Sequence, residues 1–453
     1  MATDGFVFSE LMPHVSSMSA SRLASFCDFR AGVRCQPSEQ MNPKEKHGDG
    51  FVFSKPPYTK PQMLLPLLLL AADWPQFLGP TRNGVSTETI TWTSAPSVLW
   101  KKDAGEGFAA PVVANGKTIL FYRANGNEII DCLNASTGAK IWSYSYPTTY
   151  RDDFGFDEGP RSAPAIADGF VFTFGAQGVL TALDLATGKK LWSVPTTTQF
   201  NVKKGWFGAA GSPLVEAGKV LVHVGGAGAG IVAFDAKTGA IVWKATNDEA
   251  SYSSPTVATI DGARHAFFFT RAGLVDLDPS NGQVRFSMPW RSRSSASVNA
   301  ATPLVVGNQV FISASYGAGA ALLEVTGSQY KKIWSNDDSM SNHYSTCVYH
   351  NGYLYGFHGR QEEGQALRCV EWKTGRVMWD VDSYGAGTVT LAGDRLLILR
   401  ENGELVLAPA DPKAFRPTQH ATILTKVVRA YPALANARLY ARDEKNVLCL
   451  TLK

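Results

Sequence analysis

The chain has 453 residues, of which 45% are hydrophobic and 18% charged, with a formal net charge of +4. That length allows one large domain or two to three ordinary ones, and the hydrophobic share excludes bulk disorder. So small a charge argues against nucleic acid as a partner and against a strongly acidic substrate, and the short basic pair Arg291 and Arg293 does not alter that.

Residues 1–62 are polar and lack sustained periodicity, and read as an extension that is disordered or lies upstream of the true start. The string DGFVFS occurs twice in it, at Asp4–Ser9 and Asp49–Ser54, without a physical account. Residues 63–72 form an apolar run that is too short to span a bilayer, which needs roughly 20 residues. With Lys55 and Lys60 upstream and Ala71–Ala72 at its end, the run fits the hydrophobic region of a secretory signal; the alternative is a buried strand beside a polar tail. Asp73, not Cys, follows Ala72, so a periplasmic or secreted protein without lipid or transmembrane anchor is expected.

Residues 73–453 carry an internal repeat. One half of it ends a strand with Asp or Asn, turns through Thr-Gly and reaches Trp four residues after the Gly: CLNASTGAKIW (Cys132–Trp142), ALDLATGKKLW (Ala182–Trp192) and AFDAKTGAIVW (Ala233–Trp243). Degenerate copies follow at Asp276–Phe286, Leu322–Trp334 and Cys369–Trp379. The other half places small residues and Pro before an apolar strand, a Gly or Asn-Gly turn and a second strand. Its Pro slot is filled eight times, by Pro111, Pro164, Pro213, Pro255, Pro303, Cys347, Thr388 and Pro432, at spacings of 41 to 53 residues. Alternating β-branched and aromatic residues between Gly, Asn and Asp turns are strand and hairpin signals, which gives four strands per unit. Eight such units predict an all-β, eight-bladed propeller.

The ends of the chain predict its closure. The last copy stops after VLCLTLK, before any fourth strand, while SVLWKK at Ser97–Lys102 is a fourth strand with no unit of its own. Pairing the two leaves no open edge. The six cysteines make no CxxC pair, and Cys132, Cys369 and Cys449 share the slot of Ala182 and Ala233, which favours packing over reactivity.

The repeat resembles that of the pyrroloquinoline-quinone (PQQ) β-propellers, a superfamily that includes quinoprotein alcohol dehydrogenases and BamB-type outer-membrane assembly factors. The resemblance covers about Asp73 to Lys453, and DWPQFLGPTRNGVS at Asp73–Ser86 resembles the leader of bacterial exported members. Because one fold hosts many functions, two expectations follow. One is a scaffold that binds a small molecule or a protein through the channel mouth, with no cofactor required and as a monomer. The other, implied by the dehydrogenases, is oxidation of an alcohol or sugar with PQQ and Ca²⁺. That second expectation lacks the family's adjacent-cysteine disulfide and a haem motif, and no GxSxG, HExxH or GxxxxGK[ST] string suggests another chemistry.

In a propeller, the loops leading into each innermost strand gather around one mouth. The sequence places Arg161, Trp206, Tyr252, Asn299, His343 and Tyr384 on those loops, as a ring expected to face one pocket. Arg161 would fork onto a carboxylate, Trp206 would stack, and Asn299 would offer an amide. His343 would serve as base, donor or metal ligand. The competing expectation is that these side chains cap the channel and bond one another. Asp157, Glu158 and Asn299 are candidates for oxygen ligands of a hard cation.

Overall fold

A computed structural model describes residues 72–294 and 298–452. Residues 1–62 and most of the expected signal run therefore lie outside the described residues. The remainder is eight β-sheets with a single four-residue α-helix at Thr196–Gln199.

Blade 1 runs from Val112–Ala114 through Lys117–Ala124 and Asn127–Asn134 to Lys140–Pro147. Blades 2 to 6 repeat that order, with innermost strands at Ala165–Ala167, Leu214–Glu216, Thr256–Ile260, Leu304–Val306 and Val348–His350. Blade 7 begins at Gly387–Ala392 and blade 8 at Ala433–Ala435. Each innermost strand thus starts just after a Pro-slot residue, or in blade 7 one residue before it, and the four strands of each blade's repeat unit pair antiparallel.

Hydroxyls in the residues around the Pro slot join one blade to the next. Ser212 Oγ accepts the Ala163 amide at 3.0 Å, Ser254 Oγ the Ser212 amide at 2.9 Å, and Thr346 Oγ1 the Thr302 amide at 2.9 Å. The Tyr431 hydroxyl takes the Thr346 amide in blade 6 from blade 8. These amides would otherwise be buried without partners.

The Trp-Gly pairing is a second link. Trp142 donates its indole N–H to Leu185 O in blade 2 at 3.0 Å, Trp192 to Ala236 O in blade 3 at 3.0 Å, and Trp243 to Pro279 O in blade 4 at 3.2 Å. The indole lies over the turn glycine of the receiving blade, so a β-carbon at Gly188 would come within 2.5 Å of the Trp142 ring. Gly188 also has φ +72°, which a side chain disfavours. The Gly is therefore required by the preceding blade as well as by its own turn.

Blade 8 closes as expected: Ser97–Asp103 pairs antiparallel with Asn446–Thr451, with Trp100 opposite Cys449. The Trp100 indole then reaches Ala135 O of blade 1 at 3.0 Å, so the closing strand also extends the Trp-Gly chain across the seam. Cys132, Cys369 and Cys449 are fully buried in the slot shared with Ala182 and Ala233. Burial pushes the Cys132 and Cys369 thiols up to about 12, which suits packing and not reactivity.

Residues 74–86 enter the ring from the face that carries the turns between first and second strands. Trp74 bridges Val113 of blade 1, Pro75 O accepts the Ile166 amide of blade 2, and Phe77 meets Tyr431 edge-on at 5.1 Å. Arg82 donates to Pro213 O at 3.0 Å and Ser212 O at 3.2 Å in blade 3. The segment leaves as Val85–Ser86, a fifth strand parallel to Leu391–Ala392 on the inner edge of blade 7. Residues 74–86 thus touch the inner parts of blades 1, 2, 3, 7 and 8.

Candidate functional site

The face opposite those turns carries the blade-to-blade loops and the hairpins between second and third strands. Over blades 2 to 4 these loops enclose a cleft of about 910 Å³. Its walls come from six places: residues 149–151 after blade 1, the blade 2 hairpin at 174–179, the helix and loop 195–210 after blade 2, the blade 3 hairpin at 223–227, residues 247–252 after blade 3, and Arg271 on the blade 4 hairpin. The loop after blade 2 is held in place when Thr196 Oγ1 donates to Gly178 O at 2.7 Å and the Ala209 amide to Ala176 O at 2.9 Å.

Two members of the expected ring, Trp206 and Tyr252, line this cleft together. The Arg271 guanidinium sits 5.0 Å over the Trp206 ring, and Phe154 meets its edge. Tyr252 Oη accepts the Phe207 amide at 3.3 Å and keeps its own hydrogen to donate.

The other four are committed elsewhere. Arg161 binds the Asp152 carboxylate at 2.6 Å and the carbonyls of Asp157 and Phe207, which uses up the fork expected for a ligand. Asn299 is buried, and its amide donates to Thr270 O at 2.8 Å and Trp290 O at 3.0 Å, wedging the blade 4–5 connection. His343 lies 3.2 Å from Tyr316 Oη through Nε2 and accepts the Gln361 amide through Nδ1; burial lowers its pKa. The Tyr384 ring is covered by the Arg400 guanidinium at 4.6 Å and packs against Phe357 and Phe415.

The proposed cation ligands do not gather. Both Asp157 oxygens take backbone amides, those of Gly107 at 2.9 Å and Gly159 at 2.7 Å. Glu158 holds Arg123 at 3.0 Å and also Arg151, which lower its pKa. Among the described residues, no three His, Cys, Asp or Glu side chains group as a metal ion would require. The residues present therefore do not fit a Ca²⁺-held quinone at these positions.

Two residues of the cleft were not anticipated. His223 lines it and is only 4% exposed; burial holds its pKa down at about 4, against the backbone of Glu249, which raises it. Arg271 faces Glu249 at 3.3 Å across the rim. A signal for Arg271 was present in the sequence: Arg123, Arg271, His358, Arg400 and Arg442 recur where the second strand ends, which puts them on the loop face. No such repetition marks His223.

A family profile described as outer membrane protein assembly factor BamB matches residues 86–205 and 126–361, which together span more than half of the chain. The chain belongs to this PQQ-repeat family. Among PQQ-repeat relatives, a quinohemoprotein alcohol dehydrogenase from Comamonas testosteroni is 33% identical over 141 residues, 30% of this chain and 19% of that protein. The match therefore spans about a fifth of the dehydrogenase. Outer membrane protein assembly factor BamB from Yersinia pestis is 20% identical over 291 residues, 61% of this chain and 70% of that one. The crystal structure of BamB from Moraxella catarrhalis superposes with a TM-score of 0.59 at 16% identity, covering 80% of this chain and 98% of that one, a likeness of fold. Membership of the PQQ-repeat family thus makes the chain similar to an assembly factor and to an alcohol dehydrogenase alike.

Proposed function

We propose that this chain is a binding scaffold, periplasmic or secreted, that works through its loop-bearing face and not through quinone chemistry. The observation that carries this reading is the cleft over blades 2 to 4, which Trp206 and Tyr252 line beside the buried His223. Pockets of that kind, concave and part aromatic with a few convergent polar groups, are the usual form of a ligand site. Exposed Phe154 and Phe156 beside the cleft extend the face toward a protein partner, the kind of partner that the name of the BamB relatives implies. Among the described residues no helix is long and apolar enough to cross a membrane.

The dehydrogenase reading draws its support from the 141-residue match. One experiment separates the two: calorimetric titration of the purified full chain with PQQ, with and without Ca²⁺, beside a dye-reduction assay over alcohols and sugars. The scaffold reading expects neither heat of binding nor turnover. Saturable PQQ binding with turnover overturns it.

A further inference from the structure

We infer that the ring carries a hinge: blades 4 and 5 part at the rim away from the loops while staying joined on the loop-bearing face. Among the described residues, six of the eight seams carry the indole clamp on that rim. Besides the four given above, Trp334 donates to Trp372 O at 2.8 Å between blades 5 and 6, and Trp379 to Asp411 O at 2.9 Å between blades 6 and 7. The seam between blades 7 and 8 takes an indole from the leader. Trp92 is buried in the cluster that joins those blades, and Glu88 accepts the Asn436 and Ala437 amides of blade 8. Between blades 4 and 5 both halves of the clamp are replaced. Phe286 stands in the Trp slot with no N–H to donate. The blade 5 strands pair on to Thr326 and Gln329, so Tyr330 meets Phe286 at 4.9 Å and no ring lies on Gly327.

The interior of this seam differs as well. Opposite the Trp, the clamped seams place Cys132, Ala182, Ala233, Leu322, Cys369 or Cys449, whereas blade 4 places Asp276 opposite Phe286. His265 Nδ1 and Asp276 Oδ2 bond at 2.8 Å, and both side chains are fully buried. Strand alternation puts His265 on the same face as Phe267, and Asp276 is Phe267's partner in register. That face packs on Val310 and Ile312 of blade 5. His265 Nε2 and Asp276 Oδ1 have no hydrogen bond. The Arg285 guanidinium is 3.9 Å from Oδ1 and bonds Arg264 O, Leu277 O and Asp278 instead. A closed seam keeps these two atoms from water, which is unfavourable, and a parted one hydrates both. Parting a clamped seam does the reverse, breaking an indole hydrogen bond and wetting an apolar slot. Burial raises the Asp276 pKa, in keeping with a carboxylate that the closed seam disfavours. The other end of the seam is tied: the Trp290 indole donates to Gly319 O of blade 5 at 3.3 Å, and the Ser292 hydroxyl bonds Tyr316 O. Those two bonds are the pivot.

Two reagents read the hinge in the full chain below its unfolding transition: diethyl pyrocarbonate, which acylates a bare imidazole nitrogen, and a maleimide, which alkylates thiols. Each site's rate is mapped by peptide mass spectrometry and compared with its rate in the urea-unfolded chain to give a protection factor. His265 should be protected at least tenfold less than Cys132, Cys369 and Cys449, which lie in clamped seams. Ala314→Cys, buried toward the loop-bearing end of the 4–5 seam, should be as protected as those three cysteines. Phe286→Trp combined with Tyr330→Gly writes the clamp back and should raise His265 protection at least threefold. Equal protection of His265 and the three cysteines overturns the hinge whether or not the double variant folds. A folded double variant with unchanged His265 protection overturns it too. Labelling of Ala314→Cys as little protected as His265 means that the blades separate along their whole length, and overturns the pivot.

Discussion

His223 is neutral when folded because burial opposes its charge, and this makes it a source of acid lability. Its pKa falls from 6.5 to about 4 on folding, so between those values the unfolded chain binds a proton that the folded chain does not. Stability is complete above pH 6.5 and falls as the pH drops, by up to about 3 kcal/mol once the pH is below 4. Urea unfolding across pH 4–8 should show wild type losing stability faster than His223→Gln; parallel curves would remove the assignment. The turn glycines allow a cleaner test. Gly188→Ala meets both a positive φ and the Trp142 ring and should cost about 2–4 kcal/mol, whereas Gly169→Ala, with φ +82° and open space around it, should lose only about 1–2. Equal losses in denaturant melts would mean that the indole yields. The Thr-Gly-Trp spacing was legible because the contact recurs from blade to blade. His223 was not, because its chemistry comes from Phe268 and the blade 4 loops, which the sequence does not place beside it.

At the scale of elements, the closing strand was readable and the leader was not. Ser97–Asp103 announced itself as a fourth strand with a Trp but no unit of its own, and it pairs with Asn446–Thr451. Trp100→Ala deletes a buried indole that serves blades 8 and 1 together. It should cost about 3–5 kcal/mol, read as a lower urea midpoint at unchanged m-value. A loss below 1 kcal/mol would mean that the seam is held elsewhere. Residues 74–86 lack any period that betrays their place, since they meet short inner strands spread from Val113 to Leu391. Arg82 shows what the insertion costs. Its guanidinium is fully enclosed with only neutral acceptors, its Nε is unbonded, and burial lowers its pKa to about 9. Four of the six expected ring residues lie outside the cleft lining for a related reason. Polarity and loop position are visible in sequence, but Asp152 closing on Arg161, or the carbonyls that claim Asn299, depend on loop paths that no repeat constrains.

For the molecule as a whole, blade number, strand order and closure were written in the repeat, because a four-stranded unit with one conserved docking device assembles in few ways. The site was written less clearly, since loops vary in length where strands do not. The proposed export concerns the full chain and has its own check: N-terminal sequencing of material recovered outside the cytoplasm should begin near Asp73. Cytoplasmic protein that retains residues 1–72 would refute it.

The leader's route fixes an orientation. Asp73 accepts the Asn115 amide, and the Leu452 amide bonds Ala437 O, both at turns on the face away from the cleft. A bead, dye or carrier tethered at Asp73 or at Leu452 would therefore hold the propeller with its cleft turned outward. Coupling through Lys203 or Lys204 at the rim would smother it.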